Sequence, residues 1–274
     1  MPEMPEVEII RRTLADKIIG QKITSVEMLL SRLIKWPSAH EFQAMVTNKT
    51  VQSIERRGKY LLFNLDNGLV MVVHLRMTGR IYYIPVSLSN DRFIRIIFHL
   101  SDGGALLYAD NRTLGTLYVM TPEELWRING LATLGPEPLS PAFTLSYLEQ
   151  VLKTRKGKIK SLLLNQQIIG GLGNIYVDES LALAGLHPER IASSFTHEEV
   201  SRLYDAINQV IEQGIEHGGT TFRDYRDGEG KSGTHQHHLT VYGRNKQPCK
   251  SCGTLITKTE VAGRGTHYCP HCQQ

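Results

Sequence analysis

All four cysteines of this 274-residue chain lie within its last 26 residues, as Cys249-x2-Cys252 and Cys269-x2-Cys272. Two such knuckles, sixteen residues apart, are the ligand set of a structural zinc ribbon. Their thiolates close a tetrahedral shell and leave no position open for a substrate. Two disulfides are the alternative, but no secretory signal precedes the cysteines, and paired CxxC motifs in an intracellular chain hold metal more often than they cross-link. One structural Zn2+ is therefore expected. Metal binding supplies on the order of 10 kcal/mol or more to such a module, which lets so short a tail fold. Between the knuckles runs Val261-Ala262-Gly263-Arg264-Gly265-Thr266. Glycines flanking one arginine read as a hairpin tip that pushes a guanidinium towards phosphates or bases.

Length favours two domains, each able to bury a core. Hydrophobic residues make up 41% of the chain and no apolar run reaches spanning length, so no membrane role is expected. The net charge of +4 barely favours nucleic acid over a neutral partner. The distribution says more, because Lys153, Arg155, Lys156, Lys158 and Lys160 crowd eight positions without an acid among them. A solvated helix face is the plain alternative for that run. No low-complexity segment or internal repeat is evident.

The first half reads as β structure behind one helix. Val7, Ile10, Leu14 and Ile18 recur at helical spacing, and Pro5, Glu6 and Glu8 suit a helix start. β-rich runs follow at 23–30, 51–56, 60–66, 69–75, 80–86, 92–100 and 105–109, with hairpin signals at Asn67-Gly68 and Ser101-Asp102-Gly103-Gly104. Strands at this spacing predict a sandwich or barrel. Three prolines and a glycine within 134–141 mark a linker, after which helices are expected at 142–154, 158–168, 174–185 and 197–216. Gly170-Gly171-Leu172-Gly173-Asn174 interrupts the second and third, so the order is helix, tight turns, helix, with backbone amides at Asn174 suited to a phosphate. The polar, glycine-bearing loop 218–237 is long enough to carry function. The domains expected are 1–133, a linker 134–141, a helical domain 142–240 containing the 218–237 loop, and a zinc finger 241–274.

Met1 precedes Pro2, a residue small enough to permit removal of the initiator. The mature chain would then start with a secondary amine beside Glu3, with Glu6 close by. An α-amine has a pKa of about 8, so roughly a tenth is free base at neutral pH. Such an amine can attack a sugar or carbonyl carbon and form an iminium, with a carboxylate moving the protons.

The blocks Met-Pro-Glu-Met-Pro-Glu-Val-Glu, Arg57-Gly58-Lys59-Tyr60, His74-Leu75-Arg76-Met77-Thr78-Gly79-Arg80, Gly173-Asn174-Ile175-Tyr176-Val177-Asp178-Glu179 and Gly263-Arg264-Gly265-Thr266-His267 occur in this order. Together they closely resemble the formamidopyrimidine-DNA glycosylase family, which also includes endonuclease VIII, from Pro2 to Cys272. The resemblance implies an α+β fold: an antiparallel β-sandwich with a flanking helix, then a helix–two-turns–helix domain and a zinc-ribbon hairpin. It implies a base-excision-repair enzyme, a DNA glycosylase and abasic-site lyase, acting on double-stranded DNA that holds oxidised bases or abasic sites. A bacterial-type cytoplasmic, nucleoid-associated monomer is expected.

The resemblance also implies roles. Pro2 is the nucleophile on C1′, Glu3 the general acid/base and Glu6 a supporting carboxylate. Lys59 donates a proton during strand cleavage, and Asn174 with Arg264 grips phosphates, Arg264 also serving the last elimination. Met77, Arg112 and Leu114 fill the hole left by the flipped base. Leu114 departs from the family's usual phenylalanine, and Arg95 stands near a position where a DNA-contacting histidine is usual. Arg155, Lys160 and Tyr242 are further DNA contacts. Thr220, Phe222, Arg223, Asp224 and Tyr225 belong to the segment that closes over the lesion, whose intact length favours oxidised purines (8-oxoguanine, formamidopyrimidines) over the oxidised pyrimidines of endonuclease VIII. A DNA-binding paralogue without activity is the alternative from another class.

Overall fold

Glu3 opens the first helix, and Glu6 folds back to accept the Glu3 N–H at 2.8 Å. Pro5 fits the first turn of this helix, α1 (Met4–Ile18), and Val7, Ile10, Leu14 and Ile18 are fully buried along one face. The computed structural model describes residues 2–85 and 91–274. Met1 and its removal, and residue 86 at the end of the 80–86 run, lie outside the described residues. The chain divides into two compact units, Met1–Ala132 with Ile215–Gln236, and Thr133–Gly214 with His237–Gln274.

In the first unit β1 (Lys22–Met28) leads to β2 (Ile34–Trp36), α2 (Ala39–Val46), β3 (Lys49–Arg57), β4 (Tyr60–Leu65), β5 (Val70–His74), β6 (Gly79–Ile84), β7 (Ile94–Leu100), β8 (Ala105–Asp110) and β9 (Thr116–Met120). The sheet order is β2-β9-β5-β4-β3-β1-β7-β8-β6. It narrows at β1–β3, where only Lys22–Thr50 and Ile23–Lys49 are paired. There the sheet becomes two layers, whose inner faces share one core containing Phe63, Met71 and Val73 from one side and Val26, Ile96, Phe98 and Tyr108 from the other. This is the expected sandwich, with one departure: β2 and β9 run parallel. α3 (Asn129–Ala132) closes this part of the chain.

The second unit holds α4 (Leu145–Lys153), α5 (Ile159–Leu163), α6 (Asn174–Ala184), most of α7 (His197–Glu216), and the hairpin β10 (Thr257–Val261)–β11 (Arg264–Tyr268). Among the described residues no helix is long and apolar enough to cross a membrane.

Two boundaries differ from the sequence-based ones. Residues 134–141 are no free linker: Gly135 donates to Gln166 O at 2.9 Å and Gly170 to Pro136 O at 2.9 Å, with Glu137 and Pro138 buried. The prolines pre-set an extended path that the 166–170 turn can pack against, and Gly135 permits the approach. A Cβ there would stand 2.5 Å from Ile168 O and 2.6 Å from Gln167 O. Gly135→Ala is therefore expected to destabilise this unit by about 1–3 kcal/mol, read as a lower urea midpoint at unchanged slope. The second difference is that Ile215–Gln236 groups with the first unit. Tyr225 is part of the sandwich core and Gly228 N–H donates to Thr13 Oγ1 at 2.9 Å, so this loop is anchored on α1.

Candidate active site

At the N-terminus of α1, Pro2, Glu3 and Glu6 are all buried. Glu6 accepts the Glu3 N–H through Oε2 and the Thr220 N–H through Oε1, the latter at 2.7 Å. One carboxylate thus joins the helix start to the 218–234 loop. Tyr225 seals the junction, its hydroxyl donating to Gly218 O at 3.1 Å. Of the five residues expected to read the lesion, Phe222 and Arg223 are exposed and Asp224 is half-buried. Thr220 and Tyr225 are buried, only 4% and 6% exposed, and serve as anchors of the loop on α1. A tyrosine hydroxyl with carbonyl acceptors in reach is a stable core residue, so Tyr225, which the resemblance places in the lesion-covering segment, here holds that segment to α1.

Lys59 sits in the turn between β3 and β4, after Gly58 in the left-handed region (φ 56°). That turn is also tied to α1. Arg56 donates to Gly58 O at 3.0 Å through Nη1 and to Glu8 at 3.2 Å through Nε. Glu8 further accepts Arg11 at 2.8 and 3.0 Å and Arg12 at 2.7 Å. Burial alone would raise the Glu8 pKa, but the hydrogen bonds from Arg11 and Arg12 and the charges of Arg11 and Arg56 outweigh it and hold it at about 2. The folded value lies below the ordinary 4.5, so Glu8 contributes stability above pH 4.5 that is lost as pH falls through 2. His74 behaves alike: burial, then the Arg76 and Lys59 charges, lower it to about 3 from 6.5. Its stability contribution is present above pH 6.5 and declines as the pH falls through 3. Glu8→Gln should cost about 1–2 kcal/mol at pH 7 in urea unfolding once solvent screening of the half-exposed arginines is allowed for, and the deficit should shrink on acidification towards pH 2.

The three expected wedge residues lie on two turns of the same unit. Met77 and Leu114 are 40% and 45% exposed, unusual for large apolar side chains, and Arg112 is exposed with its guanidinium 3.2 Å from the Met77 sulfur. Arg95 is turned inward: Nε donates to Asp110 O at 3.1 Å and Nη1 to Ile94 O at 3.2 Å. It buttresses the end of β8, from which the 111–115 turn departs.

In the second unit, Gly173 precedes the start of α6 as expected, and the hairpin turns through Ala262 and Gly263 (φ 53° and 69°) to present an exposed Arg264. Asn174 Nδ2 donates to Gly265 O at 2.8 Å, which puts the two phosphate-gripping candidates side by side. Lys160 is the clear correction. It is fully buried, and its ammonium donates to Asp178 Oδ1 at 2.6 Å and Gly265 O at 3.1 Å. A lysine in a basic run looks solvated in the linear sequence; here α5 turns it inward because Asp178 supplies the counter-charge. Arg155, Lys153, Lys156 and Lys158 remain exposed. Tyr242 is half-buried, its ring 5.1 Å from that of His267.

The four cysteine sulfurs lie within 4.8 Å of one another. The Cys249–Cys272 and Cys252–Cys269 pairs are 3.9 and 3.5 Å apart. A tetrahedral zinc with bonds of about 2.3 Å requires sulfurs about 3.8 Å apart, so the donor set fits one structural ion. Glu179, buried on α6, moors this module by accepting Thr240 N–H and hydroxyl at 2.7 Å, Val241 N–H at 2.9 Å and Tyr242 N–H at 2.8 Å. Sequence reasoning missed Glu179 and Asp178; their placement one turn beyond Asn174 on the same helix was the available signal.

The first unit thus offers Pro2 buried beside two carboxylates together with exposed Met77 and Leu114, and the second an exposed Arg264 on a hairpin near four cysteines set for one structural metal. Family models for the formamidopyrimidine-DNA glycosylase N-terminal domain, the formamidopyrimidine-DNA glycosylase H2TH domain and the zinc finger found in FPG and IleRS match residues 1–117, 134–226 and 246–274. The formamidopyrimidine-DNA glycosylase of Pelotomaculum thermopropionicum is 46% identical across all of this chain and 99% of its own. Two solved structures, each 37% identical and covering 100% of both chains, are a Lactococcus lactis FPG point mutant in complex with Fapy-dG-containing DNA (TM-score 0.93) and MutM in complex with carbocyclic 8-oxo-G-containing DNA (TM-score 0.92). The chain belongs to the formamidopyrimidine-DNA glycosylase family, and is an enzyme of its DNA glycosylase/abasic-site lyase class.

Proposed function

We propose that this enzyme removes oxidised purines, 8-oxoguanine and formamidopyrimidines, from duplex DNA and then cuts the strand. The observation that carries the proposal is the constellation at α1: Pro2 and Glu3 buried together, with Glu6 bonded to both Glu3 and the 218–234 loop. With Met1 removed, the Pro2 nitrogen adds to C1′ of the flipped nucleotide as the base departs, and Glu3 moves the protons. The C1′–O4′ bond then breaks, O4′ leaving as the protonated hydroxyl, and the product is an iminium, which acidifies C2′. Loss of that proton expels the 3′ phosphate, and a second elimination expels the 5′ phosphate, with Lys59 donating a proton and the Arg264 guanidinium neutralising the developing phosphate charge. Asn174 and Arg264 hold the phosphates. Met77, Arg112 and Leu114 occupy the hole, Arg112 facing the orphaned base. Zinc holds the hairpin and takes no part in the reaction. Phe222, Arg223 and Asp224 cover the extruded base, and Arg155 and Tyr242 add backbone contacts. The 218–234 loop is anchored at full length, which supports the purine preference; the related enzymes named above were captured on Fapy-dG and 8-oxo-G DNA. A single chain carries every group required, so a monomer in the bacterial cytoplasm, working on the nucleoid, suffices.

Borohydride trapping on an 8-oxoguanine·cytosine duplex tests the proposal. A covalent adduct mapped by mass to Pro2 is expected. Tight binding without an adduct would overturn the lesion assignment and favour either an oxidised-pyrimidine specificity or an inactive binder.

A further inference from the structure

Beneath the two wedge turns lies a carboxylate for which the reaction itself has no use. Asp110, at the end of β8, is fully buried and accepts four hydrogen bonds. Oδ1 takes the Thr78 hydroxyl at 2.6 Å and the Arg112 N–H at 3.1 Å; Oδ2 takes the Leu114 and Gly115 N–H groups, both at 2.9 Å. Thr78 adjoins Met77, so one side chain grips both turns. Tyr108, on the same face of β8, completes the seat. A Cβ at Gly115 would stand 1.6 Å from the Tyr108 hydroxyl oxygen, and one at Gly79 2.8 Å from it. Each turn therefore ends in a glycine laid on the same hydroxyl.

Each turn also holds a side-chain-bearing residue in the left-handed region, Arg76 at φ 55° and Thr113 at φ 53°. Such residues persist where the surroundings over-determine them. Here the Arg76 N–H donates to His74 Nδ1 at 3.0 Å, while the bonds to Asp110 bracket Thr113 on both sides.

We infer that Asp110 is a positioning residue which, through Thr78, locks the Met77 turn and the 111–115 turn into one body, so that the three wedges enter the duplex together. This rests on the wedge assignment in the proposed function. Insertion by a preformed body needs no ordering at the moment of base extrusion; two separate turns would each have to be ordered there.

Thr78→Val keeps the shape and deletes the hydroxyl that ties the Met77 turn to the 111–115 turn, through Asp110 Oδ1 and, more weakly, through the Arg112 N–H it accepts at 3.3 Å. Two rates are compared: single-turnover excision from an 8-oxoguanine duplex, with 2-aminopurine beside the lesion reporting unstacking, and cleavage of a single-stranded abasic oligonucleotide, which leaves no hole to fill. For Thr78→Val, unstacking and duplex excision should slow about tenfold, the weight of one hydrogen bond to a charged acceptor, with single-strand cleavage unchanged. Thr78→Ser, which keeps the hydroxyl, should restore the duplex rate. Asp110→Asn should show the same pattern more strongly; if it fails to fold, Thr78→Val alone decides. Wild-type duplex kinetics in Thr78→Val, or an equal loss on both substrates, would overturn the inference. If the unmodified enzyme acts on neither substrate, the proposed function falls and takes this inference with it.

Discussion

Replacing Pro2 by glycine is expected to lower base excision at least a hundredfold while leaving affinity for the damaged duplex within a few-fold of wild type. Glycine still offers an amine. But the imine of a primary amine can lose its proton and become neutral, whereas proline's iminium keeps its charge until it is hydrolysed and so remains an electron sink through both eliminations. Proline also fixes the backbone at the entrance to α1, which holds the nitrogen beside Glu3. Glu3→Gln separates the two roles. It keeps the size of the side chain but cannot exchange protons, so a loss of about 10²–10⁴ in the single-turnover rate is expected, with binding again intact. Filter binding in parallel with borohydride trapping checks both variants. Unchanged excision in either would remove the amino terminus from the chemistry.

Zinc removal is expected to act on the other half of the problem. The core cluster at the cysteines holds, among the described residues, Val241, Ile256 and Cys269 with Ala182, Cys249 and Cys272 packed against them, too little to hold a hairpin on its own. Metal binding is worth on the order of 10 kcal/mol to a module of this kind, so chelation should unfold it. Arg264 would then lose the turn that presents it, and Asn174 its bond to Gly265 O. Duplex affinity should fall at least tenfold, with a shallower salt dependence because fewer phosphates are neutralised. Far-ultraviolet circular dichroism should change little, since α1 and the sandwich do not depend on the metal. Cys269→Ala should reproduce the effect, and added zinc should rescue chelated wild type but not the variant. Binding that survives complete metal removal would detach the ribbon from the DNA.

Local chemistry was legible wherever spacing alone decides it. CxxC pairs at a ribbon's separation bring thiolates together however the rest of the chain folds, and Val7, Ile10, Leu14 and Ile18 share a helix face by period alone. The hairpin at Asn67-Gly68, the start of α6 at Asn174 and the Arg264 tip follow from residues adjacent in sequence. So does α2, which went unread although Ser38 and Glu41 form a capping box ahead of it. Strands β2 and β9 were not legible in the same way. Each is short, and their parallel pairing joins residues some eighty positions apart.

The direction a polar side chain takes was the part left to tertiary structure. Lys160 belongs to a basic run and yet is buried, because α6 brings Asp178 to it. Tyr225 lies in a polar loop and yet plugs the sandwich core. Asp110 attracts no notice between Ala109 and Asn111, although it holds both wedge turns. For a buried charge or hydroxyl, the free energy depends on whether partners distant in sequence satisfy it, and only the assembled fold supplies them. The sequence by itself determined the candidate reactive groups, the metal and the family; the tertiary structure decided which charged residues stay exposed and which are buried to hold the others in place.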